Sequence, residues 1–234
     1  CIGLSVTSMI QAEEKQQFTF VTEPAYLQSK GEWQVNAGIE WQKNNHGLSN
    51  QFAPSLSAEY GIFNYLQLEL GASWQPEHQG ANSFKRESEI EIGLSYTIIF
   101  EDEFMPQIAA GVAVSSEDGD TEIEAVLSLS KQLEEEHFIH GNLAVGGIGD
   151  DESLSLMAGY AFKVTDETTL VAELSRTRNE VSDNLLNDTF YDGLFSIGVA
   201  HELPMGAEIG VALQQFNSAN LIDKSLVAQI SYEI

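Results

Sequence analysis

Three things are scarce in this sequence. It has one cysteine, Cys1, in 234 residues. It has 10 lysines and arginines against 36 aspartates and glutamates, a formal net charge of −26. Its longest apolar runs, such as "IAAGVAV" at 108–114, fall far short of the ~18–20 residues that a membrane helix needs. Each shortage excludes something. A lone cysteine cannot build a disulfide framework, and if Cys1 leaves with a processed leader there is no thiol nucleophile either. So few cations cannot neutralise a phosphate backbone, which argues against a nucleic-acid partner. Without an apolar helix, the remaining way across a membrane is a closed β-barrel, in which neighbouring strands satisfy every backbone polar group.

The first twelve residues, "CIGLSVTSMIQA", are uncharged and small or apolar, and "EEK" follows directly. That order reads as the tail of a secretory signal, with Ala12 the last residue before cleavage. A lipid anchor on Cys1 fits less well, because the apolar stretch follows the cysteine instead of preceding it. Residues 13–31 then form a periplasmic N-terminal segment or plug, and residues 32–234 form the barrel.

What the sequence has in abundance is strict alternation. "EWQVNAGIEW" sets Trp33, Val35, Ala37, Ile39 and Trp41 on one face, and "LQLELGASW" does the same with Leu66, Leu68, Leu70, Ala72 and Trp74. The pattern returns with Ile90 to Ile98, Ile108 to Val114, Ile123 to Leu129, Leu154 to Phe162 and finally "SLVAQISYEI" at 225–234. A period of two is the mark of strands with one apolar face. No segment carries a helical period. About twelve strands emerge, an even number suited to an antiparallel transmembrane β-barrel of the outer-membrane type, all-β, with the last strand closing against the first near Trp33. Short links at 63–65, 100–104, 134–137, 165–168 and 203–207 alternate with longer polar ones at 42–51, 75–88, 115–121, 146–152, 175–190 and 215–224. Short turns on one rim and long loops on the other are expected of such barrels, and the 175–190 link should be the longest loop.

The face opposite the apolar one is small and acidic. Glycines 38, 71, 93, 111, 159, 198 and 210 fall on it, interleaved with serines and alanines, as suits a crowded concave interior. Glu40, Glu59, Glu69, Glu89, Glu91, Glu124, Glu173 and Glu208 also point inward by register, with Glu202 and Glu233. Carboxylates in a dry interior would be costly, so the lumen is expected to hold water or cations. Rings of acidic side chains favour cations in a pore. Trp33, Trp41, Trp74, Tyr96, Tyr160, Phe162 and Tyr232 lie near strand ends on the apolar face, where aromatic girdles meet the two membrane surfaces.

Little points to other chemistry. Of five histidines only His140 falls inward, beside Asn142, and no strand offers a serine at a recognisable spacing from it. No catalytic residue is assigned and the chain is not read as an enzyme. Asp118, Asp120 and Glu122 alternate in "SSEDGDTE", and "GDDE" follows at 149–152. Neither has the twelve-residue calcium-loop pattern, so no metal ligand or cofactor is assigned.

The stretch "FVTEPAYLQSKGEWQVNAGIEW" at 20–41, with Thr22, Glu23 and Pro24 and then Lys30 and Gly31 ahead of a strand, resembles the start of a family of small outer-membrane proteins named after the meta-pathway of phenol degradation. "YGIFNYLQLELGASW" at 60–74 is similar to that family's second hairpin. The resemblance implies a transporter or channel for hydrophobic or aromatic compounds, and supplies no catalytic residues. The acidic lumen departs from it and weighs against an aromatic substrate. The expected function is therefore an outer-membrane channel for passive diffusion or uptake of small solutes, cation-preferring or neutral, with hydrophobic or aromatic compounds among them. Its expected partners are outer-membrane lipid, lipopolysaccharide, the barrel-assembly machinery and the solutes themselves. The alternatives are a non-conducting structural or surface-binding barrel, or an outer-membrane lipid-modifying enzyme.

Overall fold

The structure is a computed structural model and describes residues 18–43, 51–79, 83–117, 120–148, 151–183, 186–218 and 221–234. The signal remnant, residues 13–17 and Asp118 lie outside the described residues. Twelve strands run in chain order: β1 Trp33–Lys43, β2 Gln51–Phe63, β3 Leu66–Gln79, β4 Ser83–Ile99, β5 Gln107–Glu117, β6 Asp120–Glu134, β7 His137–Ile148, β8 Asp151–Thr165, β9 Thr168–Asp183, β10 Leu186–Glu202, β11 Ala207–Ser218 and β12 Leu221–Glu233. Each pairs antiparallel with its sequence neighbours, and β12 returns to β1, so the sheet is a closed antiparallel barrel. Val35 lies opposite Tyr232 and Ile39 opposite Ala228 across that seam. Trp33 and Ile234 finish it, each N–H donating to the other's carbonyl at 3.0 and 2.8 Å.

Closure leaves no unpaired edge, and the alternation decides which face meets what. Side chains such as Ile92 (54 % exposed), Leu156 (63 %) and Leu213 (62 %) stand outward, bare of any protein cover. An apolar belt this continuous is covered by lipid in a spanning barrel. Aromatic rings gather at the short-turn rim: Trp33 sits 4.5 Å from Tyr60, Tyr65 lies between Phe63 and Tyr96, and Phe162 stacks on His137 at 4.8 Å.

Two features differ from the alternation read along the sequence. Among the described residues, the links expected to be long loops at 75–88, 115–121, 146–152, 175–190 and 215–224 are strand, and most of the 42–51 link lies outside the described residues. The expected 175–190 loop is a hairpin in which β9 runs to Asp183 and β10 starts at Leu186, with Leu194 facing Ser175 and Asp188 facing Val181 across it. Crossing lipid takes roughly 9–11 tilted residues, whereas β4 and β10 each have 17. The excess projects past the bilayer, where both faces are wet, so the residues turn polar on both sides and cease to look like strand. The second difference lies at the other rim. Register shifts after Gly61, Thr97, Gln132 and Lys163 insert one residue beside each of four short turns. The inserted residues Ile98, Leu133 and Val164 stay exposed in step with the outward face of their strands, and the ladder shifts by one residue beyond them.

Candidate functional site

The lumen is not empty. Residues 18–30 enter it and travel round its wall in the reverse order of the strands. The first contacts are apolar: Phe18 and Phe20 meet edge-to-face at 5.0 Å, and Phe20 packs on a buried cluster of Phe138, Ala161 and Val171. Glycines make the room. A Cβ at Gly210 would stand 2.3 Å from the Phe18 ring, at Gly198 2.5 Å from Phe20, and at Gly159 2.7 Å from the Thr22 hydroxyl.

Polar contacts follow, and most of them read the segment's backbone. On β9 the carboxylate of Glu173, 2 % exposed, accepts the N–H groups of Phe20 (3.1 Å), Val21 (3.0 Å) and Thr22 (2.8 Å), and the Thr22 hydroxyl (2.9 Å). Three consecutive amides on one carboxylate form a nest that compensates a buried charge, much as a bound anion would be held. On β7, Asn142 accepts the Glu23 N–H at 3.0 Å and donates to the Glu23 carbonyl at 2.7 Å. Ser130 of β6 accepts the Ala25 N–H at 2.7 Å, and Gln107 of β5 donates to the Ala25 carbonyl at 2.8 Å. The Tyr26 hydroxyl donates to Glu101, which also pairs with Lys131 at 2.9 Å. On β3, Gln67 accepts the Gln28 N–H at 2.7 Å. The chain then leaves through Gly31, whose φ of +89° suits glycine, and whose N–H donates to the Gly61 carbonyl at 2.7 Å. Gly61 must itself be glycine, because a Cβ there would lie 1.9 Å from the Ser29 carbonyl oxygen.

The eight inward glutamates therefore do not act as one set. Glu173 is committed to the segment. Glu59, 9 % exposed, accepts from Gln67 at 2.9 Å and Asn36 at 3.2 Å. Glu69, Glu89 and Glu91 line one cavity of about 180 Å³, and Glu124 belongs to the same electrostatic group as Glu89, Glu91 and Glu122. Glu208 stands nearer the short-turn rim, in a larger cavity of about 370 Å³ with Glu59, Glu69, Glu202 and Glu233. Glu40, between Ala53 and Val227 in register, has one carboxylate oxygen sealed from solvent without a partner among the described residues. The larger cavity has the segment on one side and is lined on the other chiefly by β1, β2, β3, β11 and β12, with Ser95, Ala109, Gly111, Ser128 and Glu202 from β4, β5, β6 and β10.

Glu23 projects from the segment into that cavity. Enclosure by the barrel, and then the carboxylates of Glu124, Glu91 and Glu59, push its carboxyl from 4.5 up to about 7. A raised carboxyl pKa disfavours the docked state once the undocked group ionises. Docking is therefore strongest below the undocked value of 4.5 and weakens as pH rises from there to about 7. Amide exchange of residues 18–28 should accordingly be better protected at pH 5 than at pH 8 after correction for intrinsic exchange. Equal corrected protection would contradict it.

Sequence reasoning missed two features here. One is the apolar seat: Phe138, Ala161, Val171, Ala200 and Ala212 are all buried at inward positions of adjacent strands, a departure from the acidic rule that could have signalled an internal ligand. The other is a serine–histidine pair, Ser130 Oγ and His140 Nδ1 at 2.8 Å, brought opposite across β6 and β7. Both residues are buried and Ser130 is occupied by the Ala25 N–H, so the pair serves to hold the segment in this arrangement.

No protein-family model matches the chain and no curated protein does. The fold does match solved barrels. The COG4313 outer membrane channel from Pseudomonas putida F1 superimposes with a TM-score of 0.71 over 90 % of this chain and 98 % of that one, at 11 % identity. The KdgM porin gives 0.63 over 85 % and 98 %, also at 11 %. The CymD monoaromatic hydrocarbon channel gives 0.53 over 87 % and 88 %, at 10 %. The architecture is thus that of twelve-stranded outer-membrane barrels.

Proposed function

We propose that this protein is an outer-membrane channel that passively admits small cationic or neutral solutes, with residues 18–30 docked inside as a partial plug at the periplasmic end. The observation that carries it is the acid-lined cavity left open beside the docked segment. A purely structural barrel would have no need to keep carboxylates facing water, since buried carboxylates without compensation are destabilising. Short turns face the periplasm in barrels of this architecture, which puts the segment's entry and the mouth glutamates Glu202, Glu208 and Glu233 on that side. Lipid covers the outward belt, lipopolysaccharide meets the far rim, and the barrel-assembly machinery inserts the chain.

Solute charge follows from the wall. The KdgM porin has been solved with disordered oligogalacturonate, a carboxylate-bearing chain that the lumen here would repel. The resemblance of residues 20–41 and 60–74 to the phenol meta-pathway family, and the likeness in fold to the CymD monoaromatic hydrocarbon channel, favour small aromatics among neutral solutes. Liposome swelling with the purified protein tests this. Small neutral and cationic solutes should enter faster than carboxylated ones of the same size, and impermeability to all three classes would overturn the reading. A second reading, a non-conducting barrel, draws on the Glu173 nest, which fixes the segment firmly; it predicts that impermeability.

A further inference from the structure

We infer that solute passes beside the docked segment and does not need it to leave, and that Glu69 is the specificity-determining residue of that route. The inference rests on the channel reading and deepens it.

The two cavities are neighbours. Asn36, Ser57, Glu69 and Gln229 line both of them. They lie on four adjacent strands: Asn36 faces Ser57 in register, Glu69 lies two residues from Gly71, which faces Ser57, and Gln229 faces Gly38, two residues from Asn36. On one side of these residues the larger cavity reaches the short-turn rim at Gly206 and Glu233. On the other side the smaller one continues to Ser73 and Glu89. The two cavities thus adjoin along β12, β1, β2, β3 and β4, and the inferred route runs through both.

The segment is anchored mostly elsewhere. Its nest, Glu173, is on β9, six strands from β3 in either direction round the closed barrel, and its apolar seat is on β7 to β11. The lumen is two-sided: the wall of β7 to β11 seats the apolar start of the strap and carries the Glu173 nest, and the wall of β12 and β1 to β4 carries the acidic cavities, where the strap's far end docks through Gln28 on Gln67 and Gln34. Glu69 is the one carboxyl that both cavities share, with the carboxyls of Glu59, Glu23 and Glu91 around it. A cation crossing from one cavity to the other meets this group, and an anion meets its repulsion. Glycine keeps the passage open above it, since a Cβ at Gly71 would find only the Glu91 Cβ, at 3.5 Å.

A covalent lock separates the alternatives. The position of a Cβ at Gly159 is 3.5 Å from the Thr22 Cβ, within the ~3.5–4.5 Å span of a disulfide. In a chain with Cys1→Ser, the pair Thr22→Cys and Gly159→Cys should crosslink and pin the segment to β8. The oxidised protein in planar bilayers should carry cation current within about twofold of the reduced protein. Current that appears only on reduction would overturn the inference while leaving the channel reading intact. A variant silent in both states beside a conducting wild type also overturns it, because neither substitution adds bulk to the acidic wall. A silent wild type would instead remove the channel reading itself. Two single changes complete the test without any crosslink. Gly71→Leu should lower conductance by about threefold or more with the segment still protected from protease, and Glu69→Gln should lower the cation-to-anion permeability ratio several-fold. Unchanged conductance in the first, or an unchanged ratio in the second, would count against the route.

Discussion

Replacing Glu173 by alanine should release residues 18–30 from the lumen while leaving the barrel assembled. The carboxylate accepts three backbone amides and one hydroxyl, and hydrogen bonds to a charged group contribute ~1.5–3 kcal/mol each, though not additively. Losing the set should cost docking about 3 kcal/mol or more, a shift of ~100-fold in the docked-to-undocked ratio. The side chain is buried, but its partners are on the segment, so the amides stranded by the change can find water by leaving. Two readouts follow. Protease should cut the segment readily in Glu173→Ala and slowly in the wild type, while heat-modifiable gel migration stays barrel-like in both. Single-channel conductance should rise, because the lumen gains the volume that the segment vacates. A segment still protected in the variant would show that Phe18 and Phe20 in their glycine seat suffice to hold it.

The second large effect concerns charge. Neutralising Glu69, Glu89 and Glu91 together to glutamine keeps side-chain size and removes three negative charges from the smaller cavity. Cation preference under a salt gradient should largely disappear, with the reversal potential moving toward zero. Neutralising Glu59 and Glu173 should do much less to selectivity, although both were legible as inward glutamates. Their carboxylates are engaged by Gln67, Asn36 and the segment's amides, and one of them acts through docking. A reversal potential unmoved by the triple change would place the selectivity elsewhere, the mouth glutamates Glu202, Glu208 and Glu233 being the next to test.

The parts of this molecule that sequence reveals are those set by neighbours two residues apart. Alternation such as Leu66, Leu68 and Leu70 marks a strand and its lipid face, and the antiparallel meander follows because every link is short enough to join adjacent strands. The closing pair of β1 and β12 was legible for the same reason: both strands alternate in a matching way. Strand ends were not legible, because toward the end of β9 the outward Arg176, Arg178 and Glu180 are no less polar than Ser175, Thr177 and Asn179 between them, so polarity no longer alternates. The bulges at Ile98 and Leu133 escaped because one inserted residue leaves composition unchanged.

Within the lumen, register placed the glutamates on the inner face but could not say what each one does. Glu173 and Glu69 look alike in sequence, each an acidic residue between apolar neighbours. What separates them is the segment, which meets Glu173 from 151 to 153 residues away. Contacts that distant leave no local pattern. Glycines 159, 198 and 210 fell on the inner face and were read as relief for a narrow interior; they are more specific than that, each marking where a particular residue of the segment lies against the wall, as Gly61 does for Ser29.

The most direct measurement is the reversal potential of the wild-type protein in a planar bilayer under a tenfold potassium chloride gradient at neutral pH. An acid-lined passage beside a docked segment predicts discrete channels whose reversal potential lies on the potassium side of zero. Channels that reverse on the chloride side, or a barrel that carries no current, would contradict it.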